Sequence, residues 1–429
     1  MASYTAEPVN WNLAQKMTFR FFMIFFILYI FFEPNGVLPF SDTLAAIYLK
    51  PFFKLIPWLG AHVLHLAKPI TIFTNGSGDT TYDYLIILFI TVIALTGMAI
   101  WSVTGRNTKN YNKLFYWLCV IVRFYVAITM VVYGSVKIVK LQFPSPSPGR
   151  LLEPVGNMSP MGLAWTYMGY STAFNYFTGL AEFSCGLLLF FRRTTTLGAI
   201  MGLVVAGNIM AIKYCFDVPV KLLSTMLVLM SLFLLFRDYH RLLNFFFKNR
   251  EAAPSNLTPH RFKTKWKNIV LVTIKYLLVA YVVIGDLISA VQGGAQYGDK
   301  AKKPLFYGIY NVVSFVRNKD TLPPLITDTT RWNKLLISYK DGAQIKFMND
   351  SLKYYSFKPD TTNHAFVVNS YTDTLHKYVL YYSFKKDTML LNGAWKSDTL
   401  HIRLAKYDFK NFRLLNRGFH MINETPYNK

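Results

Sequence analysis

The chain has 429 residues, with 36 Phe, 28 Tyr and a formal charge of +24. Its mean hydropathy of +0.27 excludes an ordinary soluble protein, and several runs reach the roughly 18 to 20 apolar residues that cross a bilayer core. Much of the basic excess lies beside those runs, where lysine and arginine set orientation and meet anionic lipid. No recognition motif accompanies the charge, so the lipid bilayer is the expected partner and nucleic acid is not.

In chain order the pattern predicts a mixed fold. Seven spans are expected at roughly 17–33, 83–103, 114–140, 166–191, 195–213, 219–237 and 267–290, followed by a β-rich tail. The division is 1–112 for the N-terminal spans with an external loop and an interfacial helix, and 113–240 for a four-helix core. A basic linker with the seventh span follows at 241–291, and an exported β domain at 300–429. The first span lacks a small-x-small site before Glu33-Pro34 and reads as an uncleaved anchor. The segment 51–73 is apolar but carries Lys54, Lys68, two His and three Pro, which suits a helix lying on the surface better than an eighth span.

The loops 105–113, 192–196 and 237–267 are strongly basic and fall on one side of a seven-span bundle. That side is expected to be the cytoplasm. The N-terminus is then inside, and the tail is periplasmic in a bacterial inner (plasma) membrane. Cys119, Cys185 and Cys215 lie in or at the ends of spans without a CxxC pair, so neither a disulfide framework nor a zinc or iron–sulfur motif is expected. All eight histidines fall outside the spans, which leaves no bis-histidine haem within the membrane.

Ionisable groups inside spans are costly, and each implies a partner or a function. Counting from the basic ends puts Arg123 and Glu182 about nine residues in, roughly 13 Å deep on adjacent antiparallel helices. They are expected to form an intramembrane ion pair, with Lys275 at similar depth. An outer layer gathers Lys137, Lys140, Lys213, Asp217, Lys221 and Asp286, joined by Asp79, Asp83 and Glu153 from external loops. Local roles compete with a site: the lysines can snorkel, Asp217 can cap the sixth span and Arg123–Glu182 can be a structural clamp. From this layer, Lys137, Asp217, Lys221, Asp286, Asp79 and Asp83 are the binding candidates. No catalytic constellation or metal set can be assembled.

The loop 141–165 carries five prolines and three glycines and suits a plug or lid over the bundle. The "GSGDTT" stretch (76–81) lacks the lysine and spacing of a phosphate loop and reads as an ordered turn. In the tail, strands are expected at "RWNKLLISYK", "AQIKFM", "LKYYSF", "HAFVV", "KYVLYYSF", "TMLLNGAW" and "LHIRLAK". Lys340-Asp341-Gly342, Lys358-Pro359-Asp360 and Asn392-Gly393 are expected as turns, and the Asp-Thr pairs at 320, 373, 387 and 398 as turn chemistry. Short strands at this spacing argue for an antiparallel meander closed as a small barrel or sandwich.

"RFYVAITMVVYGSVKIVKLQFPSP" and "FTGLAEFSCGLLLFFRRTTTLGA" resemble the DoxX family of four-helix membrane proteins. The matching positions are Arg123, Gly134 with Lys137, Glu182 with Gly186, and Arg192-Arg193, within about 113–237. With "SPMGLAWTYMGYS", "FDVPVKLLS", "GSGDTTYDY" and "RGFHMINETPYN", the whole chain looks similar to long DoxX-like proteins of the Bacteroidetes type with a C-terminal β domain. The resemblance implies a bundle that holds a quinone-like or lipid-like molecule, and it does not transfer catalysis. Added spans and the β tail depart from the simple family. Two functions stay open: a quinone- or lipid-handling redox-associated component, and a non-catalytic protein whose β domain (300–429) recognises an envelope partner or ligand. A transporter working at 213–221 is a third, lowered by the lack of a detectable inverted repeat.

Overall fold

The computed structural model describes all residues except 1–9, 36–40, 73–77, 255–261, 372, 374, 426 and 429. Part of the "GSGDTT" turn, the middle of the basic stretch 237–267 and Thr374 of one Asp-Thr pair therefore lie outside the described residues. The chain forms two compact units, one of 1–143 with 159–298 and one of 144–158 with 299–429.

The first unit is helical. Its elements are α1 (Leu13–Phe32), α2 (Ser41–Tyr48), α3 (Phe52–His62), α4 (Thr81–Thr104) and α5 (Asn112–Ile138). The short α6 (Pro148–Leu152) belongs to the second unit. Then come α7 (Pro160–Tyr170), α8 (Thr172–Phe190), α9 (Thr195–Cys215), α10 (Lys221–Phe236), α11 (Tyr239–Phe246) and α12 (Lys265–Tyr297). Among the described residues six helices are long and apolar enough to cross a membrane, and α10 with α11, bent by 82°, makes up to seven. The protein is a multi-pass membrane protein. At 11 residues α3 spans only about 16 Å, too short to cross.

The expected fourth span, 166–191, is two helices. Ser171 is extended (φ −97°, ψ 112°) and its hydroxyl caps the Phe174 N–H. Asn175 donates to the carbonyls of Met168 and Ser171 across the break, at 2.6 and 3.0 Å. These side-chain bonds satisfy backbone groups that a continuous helix would pair internally.

Helices α5 and α8 approach closely, and glycine permits it. A Cβ on Gly134 would stand 2.6 Å from the Phe183 nitrogen, and one on Gly186 2.6 Å from the Ala127 carbonyl oxygen. Small residues let backbones approach where lipid offers no hydrophobic drive between helices. Phe26, Tyr29, Ile90, Leu118, Val122 and Met230 fill the core beside this pair. On α12, by contrast, only Val282, Ala290 and Gly294 are buried.

The second unit holds β1 (Gly308–Arg317), the two-residue β2 (Asp320–Thr321), β3 (Trp332–Tyr339), β4 (Gly342–Phe347) and β5 (Leu352–Asp360). It continues with β6 (Ala365–Ser370), β7 (Tyr378–Lys385), β8 (Thr388–Trp395) and β9 (Asp398–Tyr407), and ends in α13 (Arg413–Asn416). All neighbours are antiparallel, and β1 pairs with both β3 and β9. The expected meander is thus an eight-stranded barrel with β2 appended. Leu400, Ile402 and Leu404 alternate inward on β9 and meet Trp332, Phe315, Phe366 and Leu391. An eight-stranded barrel is just wide enough for side chains to fill, and this one is filled. The closing strand β1 had not been expected.

Of the expected turns, Lys358-Pro359-Asp360 ends β5 and leads into one, the Asp360 carboxylate accepting the Thr362 and Asn363 N–H groups at 3.0 Å, while Asn392-Gly393 is strand interior. Pro359 and Asp360 pair with Phe366 and Ala365. Asn392-Gly393 lies inside β8, where Gly393 faces Leu380 and a Cβ would collide with the Val379 carbonyl; glycine here serves close backbone approach, not chain reversal. Asp341 (φ 59°) does make the expected turn. The Pro-rich loop divides: 144–158 packs with the β unit, where Ser145 binds the Asp299 carboxylate through its N–H and hydroxyl at 2.8 and 2.6 Å. Gly393→Ala should destabilise the barrel by about 1–3 kcal/mol, read as a lowered unfolding midpoint of the β unit; an unchanged midpoint would contradict this packing.

Candidate functional site

The buried charges pair differently from expectation. Lys137 Nζ and Glu182 Oε1 form an ion pair, the two residues being 5% and 1% exposed. Arg123 is not the partner of Glu182. Gly134 faces Gly179 and Phe183, and Gly186 faces Ala127 and Val131, so Glu182 lies level with Ser135–Lys137. Counting from helix ends fails because α8 stops at Phe190, short of the basic end of α5. Arg123 instead donates to Thr195 Oγ1 at 3.2 Å and lies 5.3 Å from the Phe124 ring centre. Lys140 Nζ donates to the Gly169 carbonyl at 3.0 Å and to Thr172 Oγ1 at 3.3 Å, tying the end of α5 to the α7–α8 break.

The turn between α9 and α10 is held from a distance. Val220, at the N-cap of α10, has φ 73°, a strained value for a β-branched residue, and offers no capping side chain. Asp79 supplies the cap: its carboxylate accepts the N–H groups of Lys221 and Leu222 at 2.6 and 3.0 Å. Asp217 is therefore not the cap of this helix. It pairs with Lys221 at 3.0 Å, one turn on, as its i,i+4 spacing suggests. Lys213 Nζ donates to the Pro219 carbonyl at 2.9 Å and closes the turn. Asp83 completes the capping box of α4, accepting from the Thr80 N–H and hydroxyl at 2.7 Å each.

Beside these caps lies a cavity of about 700 Å³, walled by Tyr29, Phe32, Phe53, Ile86, Tyr133 and Leu223. Of the six binding candidates, Asp79 and Asp83 line it, while Lys137, Asp217, Lys221 and Asp286 do not. Asp286 is partly buried on α12, and no described residue gives it a hydrogen bond or ion pair. The cavity's other carboxyl is Glu33, just past the end of α1, which sequence reasoning passed over. Burial, reinforced by the nearby negative charge of Asp83, pushes the Glu33 carboxyl up to about 7. Among the described residues its carboxyl has no hydrogen-bond partner, while those of Asp79 and Asp83 are engaged in caps. A carboxyl between an apolar run and Pro34 was the available signal.

Other polar groups secure the basic end. Arg20, 1% exposed, donates to Tyr111 Oη, Ser102 Oγ and the Gly105 carbonyl at 2.8–3.1 Å. It too was unremarked in the sequence, although an arginine in a phenylalanine run advertises a buried partner. Asp238 holds Arg237 and Arg241 at 3.1 Å and accepts from the Thr196 hydroxyl, and these partners keep its carboxyl below the usual range against its own burial. Among the described residues no group of three His, Cys, Asp or Glu side chains is placed to hold a metal ion.

Compared with known proteins, the chain is 36% identical over 124 residues to the uncharacterized protein YwoB of Bacillus subtilis (strain 168). The match covers 29% of this chain and 79% of YwoB. No family model and no solved structure matches the chain.

The Lys137–Glu182 pair yields a direct expectation. Lys137→Met or Glu182→Gln alone leaves a buried group without its partner and should cost about 3–5 kcal/mol. The double variant should cost at least about 1 kcal/mol less than the sum, measured by unfolding in mild detergent. Strict additivity would exclude the pairing.

Proposed function

We propose, for a chain that belongs to the family of YwoB, that the helical unit binds an amphipathic ligand of the quinone class in the Glu33 cavity. One observation carries the reading: a partly enclosed apolar and aromatic cavity holds a carboxyl that has no hydrogen-bond partner among the described residues and that burial pushes up to about 7. Apolar walls with a few convergent polar groups suit such a ligand. The volume accommodates a ring and the start of an apolar tail. When bound, a quinone would supply two-electron, two-proton chemistry. The chain's own part is to seat the ring among Tyr29, Phe32 and Phe53, and to hold or release a proton at the Glu33 carboxyl.

A DoxX-like core is part of the same proposal. The four helices would be α5, α8, α9 and α10, and the positions behind the resemblance do structural work in them. Gly134 and Gly186 bring α5 and α8 together, and Lys137 meets Glu182. The basic loops favour a bacterial plasma membrane with those loops in the cytoplasm, which leaves Glu33 and the β unit on the extracytoplasmic side.

Titration with a short-chain quinone on either side of pH 7 tests the reading. Wild-type affinity should change with a midpoint near the Glu33 value of about 7, and Glu33→Gln should abolish that dependence. Stability supplies a control. Between pH 4.5 and about 7 the folded state keeps a proton that the unfolded chain has lost, so stability falls as pH rises through this window. Glu33→Gln should flatten the fall. Failure of wild-type protein to bind quinone, with none extracted after mild purification, overturns the proposal.

A second reading, protein recognition by the β unit, rests on the outer face of the barrel. Tyr354 and Tyr381 are both about half exposed there, and aromatic side chains with a polar tip favour interfaces. A photo-crosslinker replacing Tyr381 should trap a discrete envelope protein in cells. No adduct at Tyr381 or Tyr354 removes this reading.

A further inference from the structure

A second groove, of about 950 Å³, runs between α5 and α12 at the basic end of the helical unit. Four cations line it, Arg123, Arg192 and Lys275 as a cluster and Lys265 besides, among apolar walls that include Phe124, Leu271 and Ile274. The three charges are close enough to act on one another. No carboxylate among the described residues pairs with any of them. Arg192 donates to Tyr116 Oη, and Lys275 Nζ lies 5.2 Å from the Phe191 ring centre. Arg123 is 4% exposed, and its Nε is buried without a hydrogen-bond partner.

Three mutually repelling cations in an apolar groove are costly unless an anion joins them. The neutral tyrosine, threonine and ring contacts offset only part of that cost. We propose that this groove binds the phosphate of an anionic phospholipid, with one acyl chain lying along α12. The guanidinium of Arg123, whose Nε has no partner among the described residues, and that of Arg192 match phosphate oxygens with directed N–H donors, and Lys275 adds a point charge. A lipid is favoured over a soluble anion because the groove is walled by apolar side chains. It also adjoins the helix with the least protein cover, on which Ile269, Ile274 and Leu277 are 55–66% exposed. Basic pockets between membrane helices on the basic side of a bundle recognise phosphate headgroups in this way. The Glu33 cavity and this groove share no lining residue, so the two proposals stand or fall separately.

The test uses the full chain in zwitterionic detergent, with short-chain phosphatidylglycerol, short-chain phosphatidylcholine and inorganic phosphate added separately. Phosphatidylglycerol should raise the thermal midpoint and appear as a bound mass by native mass spectrometry; the other two should do neither. Lys275→Gln, at the groove wall, should weaken binding about tenfold, and Arg192→Gln similarly. Arg123→Gln should weaken it further. If that variant fails to fold, the other two still decide the matter. Equal binding of phosphatidylcholine, equal protection by inorganic phosphate, or undiminished phosphatidylglycerol binding by Lys275→Gln and Arg192→Gln would each overturn the proposal.

Discussion

An ion pair inside the helical unit, Lys137 with Glu182, sets the terms for the rest of that unit. Neither charge is tolerable there alone, so α5 and α8 have to hold one register. Gly134, Gly179 and Gly186 make that register possible by letting the two backbones touch. Once it is set, Arg123 cannot reach an acid. It is left at another level with Thr195 as its hydrogen-bond partner, and the groove beside α12 becomes a site of uncompensated positive charge. One constraint thus explains both the neutralised pair and the cation left without an acid.

A second constraint shapes the opposite end. The left-handed Val220 stops the turn after α9 from capping its own helix, and Asp79 supplies the missing acceptor from a loop 142 residues earlier. That cap binds the segment before α4 to the start of α10, and Asp83 fastens α4 to the same segment. The cavity lies where these loops converge on the end of α1. Two of its three carboxylates are committed to backbone N–H groups. The third, Glu33, has no hydrogen-bond partner among the described residues, and burial pushes its carboxyl up to about 7.

Much of this architecture was legible in the sequence. Apolar run length located the spans, and alternation located seven of the eight barrel strands. The i,i+4 spacing anticipated Asp217 with Lys221. What was not legible depended on contacts between distant segments. The Lys137–Glu182 pairing follows from helix register, which glycine packing sets and counting from helix ends does not. Asp79 as a cap for α10 has no local signature, because helix capping is ordinarily read from the residues just before the helix. Asn392-Gly393 resembles a turn in isolation and becomes strand interior only when β7 lies beside it. The closing strand β1 was overlooked because it follows the last span and resembles one more apolar stretch. Glu33 and Arg20 were visible as charges in apolar surroundings, yet only the fold shows that one carboxyl has no partner among the described residues and that all three guanidinium nitrogens of the other are bonded.

The register of α5 against α8 is the central claim, and disulfide trapping in native membranes tests it most directly. In a background lacking Cys119, Cys185 and Cys215, cysteines replacing Lys137 and Glu182 together should cross-link under mild oxidation. Removing both members of a buried pair is tolerated better than removing one, so this variant should still fold. Cysteines replacing Arg123 and Glu182 should not link. Efficient linkage of the Arg123 and Glu182 positions, with none between the Lys137 and Glu182 positions, would contradict the account.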